Sequence, residues 1–519
     1  MFSYKSPRCS AVGLSLVVWL LAAGAARSQP APMVVVRLDP GRPQQTIANF
    51  AASDAWACQF VGQWPAAKKE AIADLLFSQA LGPGGQPKGI GLSMWRFNIG
   101  AGSAEQGAAS DIKDEWRRAE SFRQPDGSYD FTRQAGQRWF LEAARRRGVR
   151  QFLGFLNSPP VALTANGKAH ADHDQTNLAP ANYAALGTYC ATVVAGLQKA
   201  TGITLDYLSP VNEPQWDWSG GQEGSPFRNA ELAGVARAVG AALVAQKLPT
   251  KVLVSEAGKL TYLYETADKP ERGDQLGAFF GDKAAPTYLG GTPPVAPIIA
   301  GHSYFTTSPA ASAVAVRRRL AARVAAVPCL TYWQSEYCIL GGNEGELNGG
   351  PRDLGIAPAL YLARAIHTDL AVGNAAAWQW WLAVSPYDYK DGLVYIDQNK
   401  TDGHYYPSKM LWALGNYSRF VRPGAVRLAA ELADSARAGQ PLVSAYRSPR
   451  GQQLITVVVN DHDTPATVQL VLGGNRRLGA GRPYVTSATA DLQPGPVVPA
   501  GQPLRVAPRS ITTLVSDLR

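Results

Sequence analysis

Between residues 45 and 415 the chain alternates short apolar or aromatic runs with alanine-rich segments of helical periodicity, and this alternation restricts the possible folds most. The runs predict strands at 47–52, 92–99, 151–157, 205–211, 251–255, 298–303, 330–335 and 375–382. Between them the spacing predicts helices over 66–80, 133–147, 182–200, 229–246, 312–326 and 357–370. Eight strands with interleaved helices are the count of an α/β (β/α)8 TIM barrel. The other arrangement, an open doubly wound sheet, lacks its usual support: no early strand runs into a glycine-rich G-x-G-x-x-G turn.

The flanks read differently. A chain of 519 residues exceeds what one core usually holds. Beyond about 416, short Val-, Thr- and Ile-rich runs at 442–446, 454–459, 466–472, 484–486 and 511–515 are separated by Gly, Pro and Asp turns. They predict a smaller antiparallel β-sandwich, completed by an N-terminal strand at 33–38 that ends in an Asp39-Pro40-Gly41 turn. The expected organisation is a signal peptide at 1–28, a barrel over 45–415, and a sandwich built from 33–44 and 416–519.

Lys5 and Arg8, an apolar stretch over 14–23 and small residues through Ala26 have the layout of a secretory leader, cut between 23 and 28. The expected location is secreted or periplasmic, with no stable membrane insertion after cleavage; the other reading of 10–26 is an uncleaved anchor. Cys58, Cys190, Cys329 and Cys338 remain, too few for a disulfide framework. The net charge of +10 falls to about +7 without Lys5, Arg8 and Arg27. Arginines gather at 145–147, at 317–319 and at Arg422 and Arg427, which reads either as attraction to an acidic polymer or as solvated helix faces. Their scatter over separate segments of an exported chain argues against a nucleic-acid partner.

Chemistry-bearing residues fall at strand carboxyl ends, where a barrel keeps its active site. The run at 205–211 stops at Asn212-Glu213-Pro214, and the run at 330–335 stops at Glu336. Hydrolysing a glycosidic bond with retention needs one carboxylic acid to protonate the leaving oxygen and one carboxylate to attack the anomeric carbon. Glu213 and Glu336 are the candidate catalytic pair, with Glu256, which also ends a strand, the competitor for nucleophile. Asn212 is placed to bind a hydroxyl beside the anomeric centre, Tyr304 to orient a carboxylate, and His302 and Asn157 to contact the sugar. Trp216, Trp218 and Trp380 offer flat faces for a sugar, while Trp378 and Trp381 read as core. Asp54 and Arg96 either bind substrate or form an ion pair beneath the mouth. His170, Asp172, His173 and Asp174 lack further ligands at metal-binding spacing, so no metal or other cofactor is expected.

These residues also resemble a family. SPVNEPQW from Ser209, WQSEYC from Trp333, GHSY from Gly301, NSPP from Asn157 and GNYSRFVRPG from Gly415 are similar to glycoside hydrolase family 30. Within it, SPVNEPQWDW followed by Gln222-Glu-Gly most resembles the endo-β-1,6-galactanase branch. Many relatives carry a tryptophan inside an S-P-x-S-P-P turn, where this chain reads Phe155-Leu-Asn-Ser-Pro-Pro. The resemblance implies a retaining barrel with a side sandwich formed from both chain ends, Glu213 as acid/base and Glu336 as nucleophile. It implies a β-galactan substrate such as arabinogalactan side chains. Other β-glycans of the family (β-1,6-glucan, β-glucosides, glucuronoxylan) and a non-catalytic carbohydrate-binding protein stand as alternatives.

Overall fold

The computed structural model describes residues 33–434 and 439–519. The proposed leader and Cys9 lie outside them.

Strand β1 (Met33–Thr46) belongs to the side sheet, and the barrel begins with β2 (Asn49–Ser53). It continues through β3 (Met94–Asn98), β4 (Gln151–Phe155), β5 (Tyr207–Ser209), β6 (Lys251–Ala257), β7 (Val295–His302), β8 (Thr331–Glu336) and β9 (Ala377–Ser385). Each is parallel to its neighbours, and pairing of β9 with both β8 and β2 closes the barrel. All eight predicted strands are present. The helices Ala66–Phe77, Ala135–Arg146, Tyr183–Thr201, Asn229–Ala245, Ala310–Ala325 and Ile356–His367 fall where periodicity placed them. Between β6 and β7 only single turns replace a helix, at Leu260–Leu263 and Gly277–Gly281.

One boundary matters for the site. The β5 ladder ends at Ser209, because Pro210 has no N–H to donate, and not at the Asn212–Pro214 stop read from sequence. Glu213 therefore sits on the loop beyond the ladder, free of the pleat.

After β10 (Gly392–Ile396), β11 (Tyr405–Pro407) and the helix Lys409–Ser418, the chain enters the side sheet. Its strands are β12 (Val426–Leu432), β13 (Leu442–Arg447), β14 (Gln453–Asn460), β15 (Ala466–Leu472), β16 (Leu478–Thr486), β17 (Gln493–Pro494), β18 (Leu504–Val506) and β19 (Ser510–Leu518). Strand β1 lies between β12, antiparallel, and β15, parallel, so both chain ends build one sheet. Val34, Val36 and Leu38 share a core with Leu454, Val458 and Leu514 from strands far across the sheet, which requires the sheet to curl on itself. The alternate residues Ile455, Val457 and Val459 join the barrel core instead. Strand β14 is buried from Leu454 to Asn460 because both its faces are covered. The expected turn at Asp39–Gly41 is an interruption within β1, where Pro40 and Pro43 break the register.

The arginine clusters fit neither sequence reading alone. Arg317 is buried against Asp369 at 2.8 Å, Arg147 binds Glu70 and Asp74, and Arg145 caps the carbonyls of Thr201 and Gly202. Arg422 holds the carbonyl of Ser418, and Arg427 bonds Gln45 and Asn374. Arg147, Arg317, Arg422 and Arg427 thus tie the fold together, whereas Arg145, Arg146, Arg318 and Arg319 are exposed on their helices, as the solvated-face reading expects.

Candidate active site

The carboxyl ends of the barrel strands surround a cleft of about 680 Å³. Glu213 and Glu336 border it, flanked on one side by Asn212, Trp216, Trp218 and Phe305. The β2 and β9 side contributes Trp56, Trp381, Tyr387 and Asp391. A carboxylate oxygen of Glu213, one of Glu336 and a ring nitrogen of His302 all lie within 4.8 Å of one another.

Beneath the cleft floor is a buried cluster of three carboxylates and two cations. The Arg96 guanidinium donates to Glu336 Oε2 at 2.5 Å and stands 3.8 Å from Glu256, with Phe155 packed against it at 4.1 Å. His302 bridges Glu213 (Nδ1 to Oε1, 2.9 Å) and Glu256 (Nε2 to Oε2, 3.0 Å). The Tyr304 hydroxyl donates to Glu336 Oε1 at 3.0 Å, and Ser335 Oγ donates to Glu256 Oε2 at 2.5 Å. Burial alone would drive the His302 pKa down, but the charge of Glu336 and the bonds to Glu213 and Glu256 outweigh it and hold the ring at about 10. The ring is thus an imidazolium. Although it completes a spacing suited to a metal, both its nitrogens donate to carboxylates and neither is a ligand. Burial likewise opposes the charge of Glu256, yet Arg96, His302 and Ser335 bring its pKa down to about 2. For Glu213 burial dominates and raises the carboxyl, with the charge of Glu336 adding and His302 opposing. One site thus holds a carboxyl biased toward its acid form beside a carboxylate held by cation and phenol.

Glu213 has φ 44°, left-handed for a non-glycine residue. Its N–H donates to the Glu256 carbonyl at 2.9 Å, and the Glu213 carbonyl accepts the Trp218 indole N–H at 3.1 Å. Both backbone groups are satisfied, which fixes the direction of the side chain.

Four strand ends are linked sideways. Asp54 accepts the Asn98 N–H at 2.7 Å, Asn98 Oδ1 accepts from Asn157 at 3.4 Å, and Asn157 Oδ1 accepts from Asn212 at 3.2 Å. Asp54 and Asn157 are therefore supports for Asn212, not cleft residues. The ion-pair reading of Arg96 holds, with the candidate carboxylates as its partners.

Two further expectations are corrected. His302 is fully buried with both nitrogens taken, so no sugar hydroxyl reaches it. Trp380 is fully buried, stacked on Trp378 and donating to the Asp391 carbonyl at 2.8 Å; Trp381 lines the cleft instead. Side chains alternate along a strand, and Trp381 shares the parity of Gln379, whose side-chain amide donates to Asn49 inside the barrel. Among the described residues the 170–174 loop forms no metal-ligand grouping, and Asp172 accepts from Asn166. Cys58, Cys190, Cys329 and Cys338 are free thiols. No helix among the described residues is long and apolar enough to cross a membrane.

Sequence reasoning missed Trp381, Phe305, Tyr387 and Asp391. The last two occupy the loop after β9, whose polar and aromatic SPYDYKD run at a strand's carboxyl end was an available signal.

The cluster gives a stability prediction. A raised histidine pKa contributes stability that is present below about 6.5 and lost as pH rises through about 10. The lowered Glu256 contributes stability that is present above about 4.5 and lost as pH falls through about 2. Thermal unfolding followed by circular dichroism should therefore peak between about pH 4.5 and 6.5. His302→Gln should flatten the alkaline limb; an unchanged alkaline limb contradicts the bridging imidazolium.

A closed parallel barrel with paired carboxylates at its carboxyl-end cleft and a curled side sheet defines the glycoside hydrolase class. Residues 33–395 match the family model described as O-Glycosyl hydrolase family 30, and the chain belongs to that family. A conserved exported protein from Bacteroides fragilis is 34% identical, with a TM-score of 0.85 over 93% of this chain and 100% of that one. The catalytic domain of family 30 xylanase C from Talaromyces cellulolyticus is 19% identical, with a TM-score of 0.67 over 93% and 99%. A solved endo-β-1,6-glucanase is 17% identical, with a TM-score of 0.65 over 92% and 94%. Glucuronoxylanase XynC of Bacillus subtilis (strain 168) is 29% identical over 139 residues, which span 26% of this chain and 28% of that protein.

Proposed function

We propose that the chain is an exported retaining endo-glycosidase that cuts β-1,6-linked galactan, with Glu213 as acid/base and Glu336 as nucleophile. The observation that carries retention is the approach of the two carboxylates to within 4.8 Å. An approach this close between one oxygen of each group favours the separation of about 5–5.5 Å between carboxyls used for direct attack over the ~6.5–9.5 Å at which inverting enzymes place a water.

In this reading the hydrogen bonds from Arg96 and Tyr304 hold and aim Glu336. Glu336 attacks the anomeric carbon while Glu213, raised by burial, protonates the departing oxygen. Once Glu336 is an ester its charge no longer opposes ionisation of Glu213, which then takes a proton from the incoming water. Asn212 lies in the cleft beside Glu213, and Trp216, Trp218 and Trp381 give it apolar walls.

The galactan assignment rests on the SPVNEPQWDW run. The local match to a glucuronoxylanase favours xylan as the competing substrate. Reducing-end release should be measured on β-1,6-galactan, β-1,6-glucan and glucuronoxylan, with the first-formed anomer read by proton NMR. Short galacto-oligosaccharides of initial β configuration are expected; release from glucuronoxylan alone would replace the substrate, and initial α product would remove the retaining mechanism.

A further inference from the structure

The β9 side of the cleft holds a carboxyl that the proposed chemistry does not use. Asp391 lines the cleft at 8% exposure, in the loop between β9 and β10. Its backbone is pinned: the carbonyl accepts the Trp380 indole at 2.8 Å, and the preceding residue's carbonyl accepts the Ile339 N–H at 3.3 Å. Its Oδ1 is buried and makes no hydrogen bond among the described residues, and the Ser385 hydroxyl is the one side-chain donor that acts on the carboxyl. The other carboxyl oxygen is not among the buried atoms and also has no hydrogen bond, so this rigidly held group keeps one oxygen at the cleft wall for a donor or acceptor that arrives with the ligand.

The chemistry of that partner follows from the surroundings. Burial pushes the Asp391 carboxyl up to about 7, so near neutral pH the group can both donate and accept. A sugar hydroxyl has the same dual character. Cys338, two residues beyond Glu336, borders the same part of the cleft and feels the charge of Asp391. The partner therefore belongs to the sugar ring seated at Glu336. Trp56, edge-on to Trp381 at 5.3 Å, lines the same side of the cleft.

We infer that Asp391 is a specificity residue that grips one ring hydroxyl of the sugar attacked by Glu336. This rests on the glycosidase reading above. Hydrogen-bonding sites of this kind discriminate strongly, because an analogue lacking the hydroxyl leaves the buried group unpaired again.

The test is a pairing of variants with monodeoxy substrates. Wild type, Asp391→Ala and Asp391→Asn are assayed on aryl β-galactosides deoxygenated singly at each free ring position, with thermal midpoints confirming folding. Wild type should lose roughly 10–100-fold in kcat/KM on one analogue. Asp391→Ala should lose a similar factor on the parent sugar and almost nothing further on that analogue, with Asp391→Asn intermediate. Deoxy penalties that are the same in wild type and both variants would overturn the assignment. If wild type ignores galactosides but hydrolyses gluco- or xylo-configured ones, the galactan reading fails and Asp391 is scored by the same comparison in that series. Turnover of none of the three series by wild type would overturn the glycosidase reading and the Asp391 assignment with it.

Discussion

Replacing Glu336 with alanine should lower turnover of an activated aryl galactoside by about 10⁴-fold or more, because in the proposed mechanism the attacking group itself is lost. The gap left behind is next to Arg96 and the Tyr304 hydroxyl, both of which favour an anion. Azide should fill it, attack from the face opposite the leaving group and restore activity as the α-galactosyl azide. Glu213→Ala should behave differently. It should keep much of its first-step rate when the leaving group needs no proton, then accumulate the ester until azide enters from the other face and yields the β-azide. The two azide configurations, read by NMR, assign each carboxylate its role independently of rates. An exchanged pattern would reverse the assignment, and full turnover by Glu336→Ala would remove it.

Arg96→Met should be the most damaging single change beneath the cleft. It leaves Glu256 and Glu336 in the interior with His302 as the nearest cation, and breaking a buried pair from one side costs about 3–5 kcal/mol. Urea unfolding should report a loss of that size, and kcat should fall because Glu336 loses its 2.5 Å donor. Arg96→Lys keeps the charge but not the fork that reaches two carboxylates while stacking on Phe155, so an intermediate loss is expected. Wild-type stability in Arg96→Met would show that the cluster is not held by this guanidinium.

The barrel was legible because a parallel strand covered on both faces has a length and apolarity that separate it from the helices around it. The two glutamates were legible because each follows such a run. What lay under them was not. Nothing in the periodicity distinguishes Arg96 or His302 facing the barrel axis from a polar residue facing a ligand, and burial decides between those roles. The WQWW run in β9 hid the cleft-facing tryptophan for a related reason: when both faces of a strand are apolar, composition carries no parity, and the bond from the Gln379 side chain to Asn49 reveals it. Strand β12, VRLAAEL, escaped notice because alanine, arginine and glutamate weaken its strand character, and its pairing with β1 across almost the whole chain supplies what local preference does not.

The cluster of Glu213, Glu256, Glu336, Arg96 and His302 has an electrical consequence for the proposed reaction. With Glu213 protonated, two anions face two cations and the buried set is neutral. Glycosylation converts Glu336 to an ester as Glu213 gives up its proton, so the negative charge passes from one side of the cleft to the other while the total stays at zero. Neither half-reaction then requires a counter-ion to enter from solvent. His302, hydrogen-bonded to Glu213 and 3.5 Å from Glu336, is the cation in contact with the charge in both positions.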